Sequence, residues 1–112
     1  MASMTGKDST VFFADEELKG SFEKLEKSNP KMFGWINGAI DKLKANPFAG
    51  VQVRRKLIPK TYVERFGIDN LWKMNLPDGW RLMYSVGMAG VSVVSIVLEW
   101  LPHKKYERRF GY

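Results

Sequence analysis

Apolar residues change period once along this chain. Up to Asn46 they recur at helical spacing, and beyond Gly50 they alternate. Thr10-Val11-Phe12-Phe13 reads as a short opening strand. Asp15 follows as a candidate N-cap, with Glu16 and Glu17 in the favourable first turn. Leu18, Phe22 and Leu25 then fall on one face of a helix predicted over 14–28. Ser28-Asn29-Pro30 both stops that helix and caps the next, predicted over 30–46, with Phe33, Ile36, Ile40 and Leu43 as its apolar stripe. So short a link predicts an antiparallel hairpin. Gly34 and Gly38 either let a neighbour pack closely or only weaken the helix.

The extended half begins with Val51 and Val53, and the pattern carries that strand towards Leu57, with Arg54-Arg55-Lys56 inside it or at its end. On a strand Arg54 and Lys56 would share a face that Arg55 does not. Pro59 to Phe66 reads as a helical turn closed by Gly67. Trp72, Met74 and Leu76 alternate with Lys73 and Asn75; after the turn Pro77-Asp78-Gly79, Trp80, Leu82, Tyr84 and Val86 alternate with Arg81, Met83 and Ser85. Gly87 to Gly90 makes the next turn. Val91 to Leu101, β-branched and apolar on both faces, reads as a central strand. His103 to Tyr112 forms a basic, aromatic tail. The alternation assigns Trp72, Trp80 and Trp100 to the core and leaves Trp35 off the main helical stripe. Helices grouped before a run of strands predict an α+β fold, with the opening strand and the helical hairpin on one face of a mainly antiparallel sheet of about four or five strands.

Composition sharpens this. The 112 residues suit one domain, and seven Phe, four Trp and four Tyr suffice for one core. Residues 1–6 resemble an expression-tag leader, which leaves a single domain over 7–112, its native start between Lys7 and Thr10. With no cysteine and one histidine there is neither a thiol nucleophile nor a conventional zinc site, and no cofactor motif is present. No apolar run approaches the roughly 20 residues of a membrane span, so a cytoplasmic protein is expected. Charge divides sharply. Residues 1–50 hold seven Lys against seven acids, whereas 51–112 hold eleven Lys and Arg against five acids, so the whole net charge of +6 lies in the second half. That asymmetry points to a scaffold joined to a polyanion-binding surface.

Three segments carry a further likeness: Asn70-Leu71-Trp72-Lys73-Met74-Asn75-Leu76, then Gly79-Trp80-Arg81-Leu82-Met83-Tyr84, then Pro102-His103-Lys104-Lys105-Tyr106. Together they resemble the RelE/ParE toxin superfamily, over residues 11 to 110. Its members carry a hairpin whose second strand reads aromatic-Arg-hydrophobic-hydrophobic-Tyr and end in a short basic segment with His, Lys or Arg and a Tyr. The resemblance implies a toxin of a type II toxin–antitoxin pair, bound by a cognate antitoxin. The superfamily holds both ribosome-dependent ribonucleases and gyrase poisons. Leu76 departs from the ribonuclease pattern, standing about where those members often carry a second cation; Lys73 and Asn75 are the nearest polar residues.

RNA can be cleaved without metal when a base deprotonates the 2′-hydroxyl, cations stabilise the phosphoryl oxygens and an acid protonates the leaving oxygen. Arg81, Tyr106 and the sole histidine, His103, are the catalytic candidates. Arg81 would grip phosphate from mid-strand, His103 would move the proton, and Tyr106 would act as base or orient the nucleotide by stacking. The plainer readings are an Arg81–Glu99 ion pair, a surface histidine and a tyrosine that only packs. Arg54, Arg55, Lys56, Lys60, Lys73 and Lys104 are the candidate phosphate-binding cations, and 54–60 would otherwise be an ordinary solvated run. Three functions follow. The first is a metal-independent endoribonuclease that cuts mRNA on the ribosome. The others are a gyrase-inhibiting toxin and an inactive binding module. The proton shuttle favours the first.

Overall fold

In a computed structural model of the chain, residues 9–111 are described; the leader assigned to 1–6 lies outside them, as do Lys7 and Asp8. Strand β1 (Thr10–Phe13) leads into helices α1 (Glu16–Ser28) and α2 (Pro30–Ala45), then β2 (Val51–Val53) and α3 (Lys60–Phe66). β3 (Leu71–Asn75), β4 (Arg81–Ala89), β5 (Ser92–Leu101) and α4 (His103–Phe110) complete the chain. The strands form one sheet in the order β1-β5-β4-β3-β2, antiparallel except for the parallel pair β1–β5.

The predicted punctuation is in place. Asp15 accepts a hydrogen bond from the Leu18 amide at 2.8 Å, and Asn29 accepts from the Met32 amide at 3.2 Å with Pro30 opening α2. Both caps satisfy amides that a helix start leaves open. At the β3–β4 turn, Asp78 and Gly79 adopt φ values of 58° and 77°, the left-handed pair that a tight hairpin needs.

The α1–α2 hairpin packs on one sheet face, as its apolar stripes require. Met32, Ile36, Ala39, Ile40 and Leu43 meet Met74, Leu76, Leu82, Tyr84 and Val97, with Leu18, Phe22 and Leu25 at the margin. Trp72, Trp80, Trp100 and Trp35 are half-buried against this cluster. Phe33 is less buried than expected. It stacks on Phe22 at 4.7 Å, and Met32 takes the deeper position. Nothing packs closely on Gly34 or Gly38, so they serve no close approach within the fold.

Two corrections concern the second half. The strand after Gly50 stops at Val53; Arg55–Leu57 form a 3-10 turn, so the shared strand face expected for Arg54 and Lys56 does not exist. The basic tail is a helix, α4, and with α3 it covers the other sheet face. There Tyr62, Leu71, Met83, Leu98, Leu101 and Tyr106 form a second buried cluster. A bulge in β5 permits this. Met83 pairs with Glu99 and Tyr84 with Val97, so Leu98 is the extra residue. Val97 faces the first cluster while Leu98 faces the second, and Glu99 reaches Tyr62 on that second side. Among the described residues no helix is long and apolar enough to cross a membrane.

Gly50 joins the helical and extended halves. Its amide donates to Tyr84 Oη at 2.9 Å. A β-carbon there would collide with the Lys73 carbonyl oxygen and sit 2.7 Å from Tyr84 Oη. Gly50→Ala is therefore expected to cost about 1–3 kcal/mol, the scale of overpacking a tight site, read as a lower denaturant midpoint at unchanged slope.

Candidate active site

Sheet register gathers the site. Arg81 opens β4 directly after the Pro77-Asp78-Gly79 turn and pairs with Asn75 on one side and Leu101 on the other. Because Leu101 lies level with Arg81, the chain leaving β5 through Pro102 brings His103 beside it. Lys73 pairs with Met83, two residues along β4 from Arg81, so it projects from the same face. One turn into α4, Tyr106 lands between the two cations.

The contacts follow from this placement. Arg81 Nη1 donates to the Gly79 carbonyl at 2.6 Å, and Nη2 lies 3.3 Å from His103 Nδ1. The guanidinium carbon stands 5.0 Å from the Tyr106 ring centroid. Lys73 Nζ donates to Tyr106 Oη at 3.1 Å and is also 5.0 Å from the ring centroid. Arg81 Nε is buried and has no hydrogen-bond partner among the described residues. The expected alternative partner, Glu99, is engaged elsewhere. It accepts from Arg109 at 2.8 Å and from the Tyr62 hydroxyl. Among the described residues the ion pairs are Arg109–Glu99 and His103–Glu107, so no carboxylate neutralises Arg81.

His103 is half-exposed, and both ring nitrogens are engaged. Nε2 lies 3.0 Å from Glu107 Oε2. Arginine can only donate, so Nδ1 must accept from Arg81, and the ring proton sits on Nε2 towards Glu107. A β-carbon on Gly79 would come within 3.3 Å of the His103 β-carbon. The hairpin turn therefore also fixes where the ring stands.

The sequence-predicted residues divide. Arg81, His103, Tyr106 and Lys73 converge. Arg54, Arg55, Lys56 and Lys104 are exposed, the first three around the 3-10 turn. Lys60 lines a separate groove of about 610 Å³ between α3 and α4, together with Lys105, Arg108 and Arg109. Stacking of a nucleobase on Tyr106 does not fit the geometry: the side chain is 5% exposed, and its ring packs on Phe110 at 4.5 Å as well as on both cations. Leu76 points into the helix-hairpin core, whereas Lys73 stands on the face that carries Arg81.

Sequence reasoning missed Glu107, although its spacing of four from His103 on a helix would have shown it. It also missed the anchor Tyr62–Glu99–Arg109, which ties α3, β5 and α4 together; no local pattern links residues so far apart in the chain. Burial, and next the hydrogen bond to Glu99, hold the Tyr62 hydroxyl well above the usual tyrosine range. Burial likewise raises Tyr84. A folded-state value above the unfolded one means that the folded protein keeps these protons longer. The stabilisation is complete below about pH 10, the unfolded tyrosine value, and is lost as pH rises through the folded one. Denaturation midpoints should therefore fall progressively above about pH 10. Tyr62→Phe should flatten that decline, and an equally steep decline in the variant would show that Tyr62 does not cause it.

No family model matches the chain, and neither does any curated protein. Among solved structures the fold is similar to that of a YoeB/ParE toxin from Agrobacterium tumefaciens, with a TM-score of 0.56 and 18% identity over 92% of this chain and 99% of that one. The architecture is thus a RelE/ParE-like toxin fold.

Proposed function

We propose that this chain is the toxin of a type II toxin–antitoxin pair and acts as a metal-independent endoribonuclease that cuts mRNA on the ribosome. One observation carries the reading: Arg81, unneutralised by any carboxylate among the described residues, stands against the only histidine in the chain. A buried ion pair would have spent that guanidinium on structure. Here its fork is held by a backbone carbonyl and an aromatic ring, with charge left over for phosphate.

Each residue then has a task. Arg81 and Lys73 hold the phosphoryl oxygens, whose negative charge grows as the 2′-oxygen attacks phosphorus and the bond to the 5′-oxygen breaks. Side-chain cations supply this stabilisation, so the reaction needs none from a metal ion. His103 moves the proton between the 2′-hydroxyl and the departing 5′-oxygen. Tyr106 braces both cations rather than stacking on a base. Lys60, with Lys105 and Arg108, contacts the backbone beyond the reacting phosphate, in a sequence-blind and salt-sensitive manner. Arg54, Arg55, Lys56 and Lys104, all exposed, are further backbone contacts in this reading.

Single-turnover cleavage on programmed ribosomes, with a chelator present, tests this. Arg81→Ala should lose on the order of 10²–10³ in rate. His103→Gln should lose about 10²-fold or more. Both variants should stay folded, because neither side chain fills a core cluster. Full activity in the double variant would remove the site. Intact mRNA with broken chromosomes in expressing cells would point instead to gyrase.

The cognate antitoxin should be an acidic, partly disordered segment that covers the basic surface. Its affinity is expected to fall steadily as salt rises, by titration calorimetry at several ionic strengths. A constant affinity would mean that apolar contacts alone hold it.

A further inference from the structure

We propose that Glu107 is a positioning residue for His103, and that through the ring it couples proton uptake to the release of Arg81. The part that concerns cleavage rests on the ribonuclease reading; the coupling itself does not.

The two ring nitrogens of His103 face opposite demands. Nε2 lies 3.0 Å from a carboxylate oxygen that accepts, and Nδ1 lies 3.3 Å from a guanidinium nitrogen that donates. Only the neutral ring with its proton on Nε2 satisfies both. Glu107 stands one helical turn from His103, and α4 fixes the spacing. The charged and titratable groups around the ring are few. Arg81 faces it from β4 and Glu107 from α4. Lys73 and Tyr106 lie with Arg81, Lys104 flanks the ring in sequence, and Asp78 is exposed in the turn that packs on it.

A second proton on Nδ1 replaces the acceptor with a donor that faces another donor, and sets two positive charges together. The Arg81–His103 contact then breaks, and the guanidinium fork turns to an anion. Read in reverse, a phosphodiester that takes Arg81 frees Nδ1 to accept a proton, and the Glu107 carboxylate stabilises the resulting imidazolium. Anion binding and proton uptake therefore favour each other, as linkage requires. Glu107 touches no substrate in this scheme. It holds the ring and pays for the charge.

Because His103 is the only histidine, its ring signals in a proton–nitrogen correlation spectrum are unambiguous. Its titration is followed in the wild type, Glu107→Gln and Arg81→Ala, each with and without sulfate as the anion probe. The midpoint should move to lower pH in Glu107→Gln and to higher pH in Arg81→Ala, and sulfate should raise it in the wild type but not in Arg81→Ala. In cleavage, Glu107→Gln should lose roughly tenfold at neutral pH, a part of what a general acid or base contributes, with its pH–rate limb displaced in step with the titration. A Glu107→Gln midpoint that coincides with the wild type overturns the proposal, as does a sulfate response that survives Arg81→Ala. If the midpoints move as expected but the wild type cuts no RNA, the ribonuclease reading fails and the coupling stands.

Discussion

Tyr106 is where the C-terminal helix meets the sheet, and the arrangement of the second face depends on that contact. Its ring packs on Phe110 and takes Lys73 and Arg81 against it, while its hydroxyl accepts from Lys73. Two cations projecting from neighbouring strands repel one another. An electron-rich ring shared between them offsets part of that cost, at about 0.5–2 kcal/mol for each cation–π contact. The same contact sets the phase of α4. With Tyr106 and Phe110 facing inward, His103 and Glu107 fall on one flank of the helix and Lys105 and Arg109 on the other. One flank lies over Arg81, and the other opens onto the basic groove beside α3.

The position of α4 along the sheet has a second cause. Glu99 points towards α3 and α4 because the bulge at Leu98 shifts the alternation of β5 by one residue. It then accepts from Tyr62 and Arg109, closing the far end of the helix. Under unbroken alternation from Val97, Glu99 would face the apolar helix hairpin, where an unpaired carboxylate is costly. The bulge therefore places Glu99 on the face that carries Arg81, and its contacts with Tyr62 and Arg109 are what keep it from Arg81.

Much of this was legible in the sequence, because the signals were local. Asp15, Asn29-Pro30, Gly67 and Asp78-Gly79 each solve a backbone problem within a few residues. The alternation from Trp72 to Val86 separates the two sheet faces residue by residue. The reading failed where the signal was short or non-local. Val51 and Val53 alternate, but the cations after them leave nothing apolar to continue the strand, and the chain turns at Arg55. The spacings of Tyr106 to Phe110 and of His103 to Glu107 are the only helical marks in a segment otherwise dominated by charge, so the sequence presents α4 as a tail. That misreading hid the second layer and, with it, Glu107.

The site shows the same division. Arg81, Lys73 and His103 could be brought together from topology alone, since β4 neighbours β5 and the chain leaves β5 level with Arg81. The role expected of Tyr106 could not be read that way. Whether an aromatic side chain near cations offers its face to a ligand or spends it on packing is decided by what lies on both sides of the ring. Here Phe110 and the cations already occupy Tyr106, so its contribution is to hold Arg81 and Lys73 in place. An arginine free to turn would lose conformational freedom on every encounter with phosphate. One held by the Gly79 carbonyl and the Tyr106 ring keeps part of its order whether or not the His103 contact is made, so part of that cost is met during folding.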